Sequence, residues 1–222
     1  MIAIALDGPA GAGKSTIART VAKKLGFIYI DTGALYRTIG LAATTAGTNV
    51  EDAAAVDSLL DSTDIRLTFR GDEQRVILNG EDVSDRIRTP EASMMASKVS
   101  AIPAVRAFLL SLQRKMAEEN NVIMDGRDIG TVVLPNAQIK LFLTASVECR
   151  AQRRYEELIA KGMNVTLDEV KSDMEKRDYA DSHRAIAPLK PAADAQIVDT
   201  SWLELEQSVA LLYETITRRL NG

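Results

Sequence analysis

Gly8-Pro9-Ala10-Gly11-Ala12-Gly13-Lys14-Ser15-Thr16 follows the apolar run Ile2-Ala3-Ile4-Ala5-Leu6 and precedes the helical pattern Ile17-Ala18-Val21-Ala22-Leu25. The spacing, Gly, four residues, then Gly-Lys-Ser, predicts a strand, a phosphate-binding loop and a helix. Small residues let main-chain N–H groups turn inward around a phosphate, and the helix N-terminus adds its positive end. Residues 8–16 are therefore expected to hold the phosphates of a nucleotide, with Lys14 reaching the β- and γ-phosphates and Ser15 holding Mg²⁺.

The rest of the chain bounds what that loop serves. With 222 residues, 46% of them hydrophobic, the chain suits one α/β domain with inserted structure and is cramped for two. A net charge of −4 argues against a dedicated nucleic-acid or membrane-surface protein, which needs a field of the opposite sign. Cys149 is alone, so neither an intramolecular disulfide nor a cysteine zinc cluster is expected, and it is read as a small buried apolar residue. The lone His183 removes mechanisms needing two histidines. No basic segment precedes the first apolar run, and no run approaches the roughly 18 residues that span a membrane. A cytoplasmic setting without membrane or nucleic-acid partners is expected.

Beyond the first helix, Gly26 is a C-cap candidate and Phe27-Ile28-Tyr29-Ile30 reads as a second buried strand. Asp31-Thr32-Gly33 opens a helix running to Ala46, with Thr32 suited to the N-cap. Arg37 sits in the first turns of that helix, where a cation is misplaced unless an anion is near. It is a phosphate candidate, with Tyr36 beside it. After a short helix from Glu51, the period changes from helical to alternating at Asp64–Arg70 and Arg75–Leu78, with breaks at Gly71-Asp72-Glu73 and Asn79-Gly80. Half-exposed antiparallel strands are expected there, a β-meander inserted into the domain. Helices follow from Thr89-Pro90-Glu91 and from Pro103, the first carrying Ser93, Ser97 and Ser100 and the second Arg106 at the edge of its apolar stripe. On spacing alone Ser97 is a weak candidate.

Val122-Ile123-Met124-Asp125 reads as a third core strand, with Gly126-Arg127-Asp128-Ile129-Gly130-Thr131 at its carboxyl end, where ligands of open parallel sheets sit. Ile139–Leu143 is a fourth and Ala195–Asp199 a fifth. Between them lie two helices. The first aligns Arg150, Arg153 and Arg154 on one face. The second opens at Thr166 with a capping box to Glu169 and carries Asp173, Arg177, Asp181 and Arg184 at steps equally suited to an ion-pair ladder and to a ligand-reading row. A closing helix is expected from Leu203, with Trp202 packed at its start. The fold class is α/β: a doubly wound, five-stranded parallel sheet built on a P-loop, with an antiparallel insert and a basic helical excursion.

No Asn-Lys-x-Asp or Thr-Lys-x-Asp segment that would read guanine is present, and the size suits a small kinase better than a motor. Arginines outside the loop are abundant, as an acceptor that itself carries phosphate would require. At this point the P-loop, Asp31-Thr32-Gly33-Ala34-Leu35-Tyr36-Arg37, Asp125–Thr131, Lys176-Arg177-Asp178 and Arg184-Ala185-Ile186-Ala187-Pro188 together resemble the bacterial cytidylate kinases. The resemblance covers essentially the whole chain, including the insert; Thr32 stands where members often have serine.

The resemblance implies an adenylate-kinase-like fold with ATP and CMP or dCMP as substrates, Mg²⁺ with the ATP, and a monomer. It implies a core at about 1–62 and 103–222, a monophosphate-binding insert at 63–102 and a lid at 148–180. Carried onto this sequence, Ser97, Arg106, Asp128 and Arg184 read cytosine, and Arg177 and Asp181 hold the ribose. Thr32, Arg37 and Arg127 hold the CMP phosphate, and Arg153 and Arg154 close on the ATP phosphates. A phosphate monoester, with its second pKa near 6, is already mostly deprotonated at neutral pH and needs no general base. Catalysis would rest on alignment and on neutralising charge through Lys14, Arg127, Arg153 and Arg154. A kinase for a hydroxyl acceptor, with Asp31 or Asp125 as base, and an ATP-binding regulatory module without transfer remain the alternatives.

Overall fold

The computed structural model describes residues 1–71 and 73–221, the Pro90 side chain aside; Asp72, in the expected break of the insert, lies outside the described residues. The chain opens with β1 (Ala3–Asp7), α1 (Lys14–Leu25), β2 (Ile28–Asp31), α2 (Thr32–Ala46) and α3 (Ala53–Asp61). The insert follows as β3 (Ile65–Arg70), β4 (Glu73–Leu78) and β5 (Glu81–Asp82). α4 (Pro90–Val99) and α5 (Pro103–Glu119) return the chain to β6 (Val122–Gly126), a π-helical turn (Ile129–Val133) and β7 (Ile139–Thr144). α6 (Val147–Ala160), α7 (Leu167–His183), β8 (Gln196–Asp199) and α8 (Leu205–Asn221) complete it.

The main sheet runs β2-β6-β1-β7-β8 with every neighbouring pair parallel. β1 is central and therefore buried on both faces, which is why it reads as a continuous apolar run. Its alternate residues feed two layers: Ile4 and Leu6 pack with Ile17, Val21, Leu212 and Ile216 of α1 and α8, while Ala5 packs with Ile30, Met116 and Met124. Helices thus cover both faces, the doubly wound arrangement expected.

The insert is a three-stranded antiparallel sheet, β3-β4-β5. Its inward residues Ile65, Val76 and Val83 join Leu35, Ile39, Val105 and Leu109 in one apolar cluster, so it is packed onto the main domain through α2 and α5. The capping box at Thr166 forms as expected, and Gly26 closes α1 in the left-handed region.

Four local expectations change. Asp31, not Thr32, caps α2, its carboxylate accepting from the Ala34 N–H; Thr32 is the first helical residue and buried. Trp202 does not pack at the start of α8: it is 92% exposed, on a turn that precedes a helix beginning at Leu205 rather than Leu203. Cys149 is half-buried rather than buried, because it lies in the first turn of α6. Arg150, Arg153 and Arg154 do not act as one face, since each finds a different partner.

Candidate active site

The P-loop spans the turn between β1 and α1. A side chain at Gly8 would put its Cβ 2.0 Å from the Leu143 carbonyl oxygen of β7, so the loop leaves the sheet where only glycine fits. Gly13 caps α1 in the left-handed conformation (φ 81°) without a side-chain cap, leaving first-turn N–H groups for an anion. Lys14 is buried, and its Nζ donates to the Pro9 carbonyl across the loop at 2.8 Å. Burial first, then the nearby charge of Arg127, holds its ammonium well below the usual range. Arg150 reaches the same loop from α6, donating to the Ala10 carbonyl at 3.0 Å, with a 2.7 Å ion pair to Asp178 behind it.

Beside the P-loop, at the carboxyl end of β6, the Ser15 hydroxyl donates to Asp125 Oδ2 at 2.8 Å and the Tyr29 hydroxyl to the same oxygen at 3.2 Å. Burial and then the neighbouring Asp31 push the Asp125 carboxyl up. The Thr32 hydroxyl donates to the Asp125 carbonyl at 2.7 Å. Asp7, the last residue of β1, accepts from the Ile129 and Gly130 N–H groups, both at 2.7 Å, and so holds the π-helical turn against the P-loop strand. Burial pushes its carboxyl to about 6, partly offset by those two N–H groups.

Asp31 and Arg37 pair at 2.7 Å. Arg127 pairs with Asp181 at 2.9 Å. Arg106 lies against Asp128 in a buried pair, and its guanidinium stands over the Tyr36 ring at 5.8 Å. Arg184 reaches the other Asp128 oxygen at 3.4 Å. Its Nε donates to the Ala187 carbonyl at 2.6 Å; Ala187 adopts a left-handed conformation, φ 50°. Burial raises the Asp128 carboxyl against the pull of both arginines.

The Arg177 row does not form an intrahelical ladder. Asp181 turns to Arg127, and the Arg177 Nε is buried without a hydrogen-bond partner, as is the Nε of Arg37. Burial, then Arg127, lowers the Arg177 guanidinium to about 10. Lys14 and Arg177 thus share with the Arg127 charge one space in which their own proton affinity is depressed, a field that an anion relieves.

Residues singled out on sequence therefore gather from α2, α5, β6 and α7, with three exceptions. Arg153 donates to the Thr200 and Leu203 carbonyls, and Arg154 pairs with Glu157 at 2.7 Å. Ser97 lies one turn before Ser100, and it is Ser100 whose carbonyl takes Arg106 and whose hydroxyl faces Arg184. Arg150, Asp7 and Ser100 were missed as site residues. Arg150 carried a signal, the first turn after β7, but sheet order was needed to put β7 beside the P-loop strand.

A family model described as cytidylate kinase matches residues 4–218. The chain belongs to the cytidylate kinase family. Cytidylate kinases of Carboxydothermus hydrogenoformans and Caldanaerobacter subterraneus are 50% and 51% identical to it, over 97% and 100% of this chain and 97% of each relative. Membership makes the chain a phosphotransferase. A solved structure of an uncharacterized protein from Eubacterium ventriosum shares the fold at TM-score 0.52 and 12% identity, covering 98% of this chain and 99% of the other.

Proposed function

We propose that the protein transfers the γ-phosphoryl group of ATP to CMP or dCMP, giving ADP and CDP or dCDP. One observation carries the choice of acceptor: Asp128 is buried between Arg106 and Arg184, with the Tyr36 ring beside the Arg106 guanidinium. A carboxylate flanked by guanidinium groups offers an acceptor for the cytosine N4 amino group and donors for N3 and O2. Uracil, with a carbonyl at position 4, would set its oxygen against the carboxylate.

The acceptor phosphate would meet Arg37 and Arg127, and the ribose Asp181 and Arg177. A phosphate oxygen would give the Arg37 Nε–H, and a ribose hydroxyl the Arg177 Nε–H, the partner it lacks. Lys14 and Arg127 neutralise charge on the transferring group, and the acceptor oxygen needs no base because it arrives ionised. Asp31 is already engaged by Ala34 and Arg37, which disfavours it as the base of a hydroxyl-acceptor kinase.

The Ser15 hydroxyl and the Asp125 carboxylate are hard oxygen donors on one side of the P-loop, a set that suits Mg²⁺ completed by water and phosphate. They would hold the ion, which when bound draws negative charge from the β- and γ-phosphates. The residues at about 148–180 would serve as a lid and those at 63–102 as the acceptor-binding insert, with the chain acting as a cytoplasmic monomer.

The test is ADP release with ATP and Mg²⁺, adding CMP, dCMP, UMP, AMP and GMP singly. Strong stimulation by CMP and dCMP is expected, and Arg184→Met should weaken CMP selection more than ATP affinity. No stimulation by any monophosphate would overturn the acceptor assignment.

A further inference from the structure

β2 is the edge strand of the main sheet, and an edge carries main-chain groups that need partners. Gln74, on β4 of the insert, supplies them for Asp31. The Asp31 N–H donates to Gln74 Oε1 at 2.9 Å, and Gln74 Nε2 donates back to the Asp31 carbonyl at 3.3 Å. A carboxamide carries one donor side and one acceptor side as a peptide group does, so Gln74 stands where the next strand would pair.

The side chain of the same Asp31 serves α2. Its Oδ1 accepts from the Ala34 N–H at 3.0 Å and its Oδ2 from Arg37 at 2.7 Å. We infer that Gln74 is a positioning residue: it latches the insert to β2 and, through Asp31, sets Arg37 for the acceptor phosphate. This rests on the proposed role of Arg37.

The insert stays folded without the latch, because Val76, Val83 and Ile87 remain in the shared apolar cluster. The latch instead fixes its angle. Gln74 lines a narrow gap with Asp31, Arg37 and Arg88; Arg37 is paired with Asp31 and Arg88 with Glu73, so the charges are offset on each side and the amide pair is a hydrogen-bonded link across the gap.

Steady-state kinetics of the full chain test this, in a cycle of Gln74→Met, Arg37→Met and the double variant. Loss of two hydrogen bonds that act on binding should raise the CMP KM about tenfold in Gln74→Met and leave the ATP KM within about twofold. In the Arg37→Met background the further rise should fall below about twofold, because the latch acts through Arg37. Gln74→Glu retains the acceptor but faces the Asp31 carbonyl with a carboxylate, and should raise the CMP KM at least as far.

An unchanged CMP KM in both Gln74 variants, a rise of equal size in both backgrounds, or a rise in step with the ATP KM would overturn the inference. Should CMP fail to stimulate the unmodified protein, the acceptor reading fails instead. The latch is then read by hydrogen exchange: faster exchange at the Asp31 amide in Gln74→Met supports it, and unchanged exchange overturns it.

Discussion

The lysine of the P-loop and the arginines of the proposed acceptor pocket beyond β6 handle charge in different ways. At the loop, Lys14 rests on the Pro9 main-chain carbonyl, while Arg150 donates to the Ala10 carbonyl and keeps Asp178 as its carboxylate partner. In the pocket the arginines rest on carboxylates: Arg37 on Asp31, Arg127 on Asp181, Arg106 and Arg184 on Asp128. A carbonyl leaves the positive field largely intact for an incoming phosphate, whereas a carboxylate cancels it until a ligand displaces or shares the partner. On the proposed reading the donor meets a cradle already charged, and the acceptor must exchange partners to bind.

The largest effect should come from the donor side. Lys14→Met is expected to lower kcat by about a thousandfold or more, with the CMP KM changed little; a kcat within tenfold of the unmodified protein would show that the Lys14 charge does not drive the transfer. At the proposed acceptor site, Arg106→Met leaves Asp128 buried with the more distant Arg184. It should lower unfolding free energy by about 3 kcal/mol, read by denaturant titration. Arg37→Met, by contrast, frees a partly exposed carboxylate, so stability should hold while kcat/KM for CMP falls about a hundredfold.

The two regions meet at Asp7, which ends the P-loop strand and holds the turn after Asp128. Its carboxyl sits at about 6 in the folded protein against an ordinary 3.8. The folded state therefore binds more protons between those values, and stability should fall as pH rises from about 4 to about 6, by about 2 kcal/mol from this group. Comparison of chemical denaturation across that window with Asp7→Asn, which cannot titrate, isolates the slope; equal slopes would show the carboxyl is not held up by burial. The smallest effect should follow Arg153→Met. It loses two carbonyl contacts to the turn at Thr200–Leu203, worth about 1 kcal/mol of stability, and should depress kcat less than Arg150→Met does.

Elements whose signal is local were legible in the sequence. The P-loop, the five apolar strands, the alternating insert and the capping box at Thr166 each follow from spacing over a few residues, because main-chain geometry and side-chain period are set by near neighbours. Thr32 shows the limit: its hydroxyl suits an N-cap, but the Asp125 carbonyl of the neighbouring strand β6 takes it, and Asp31 caps the helix instead. Trp202 shows another, since apolar character alone does not say that a turn will find a surface to cover it.

The motifs by themselves determined that residues 8–16 form a glycine-rich loop suited to a phosphate and that arginines and aspartates lie beyond the carboxyl ends of the strands. Only the tertiary structure decided who pairs with whom. Asp181 goes to Arg127 rather than to Arg177 four residues away, Arg150 rather than Arg153 reaches the P-loop, and Gln74 finds an edge 43 residues distant. The reason is physical: a guanidinium or an amide binds any acceptor of suitable geometry, and which acceptor lies within about 3 Å is fixed by strand order and helix packing, not by the spacing of the residues along the chain.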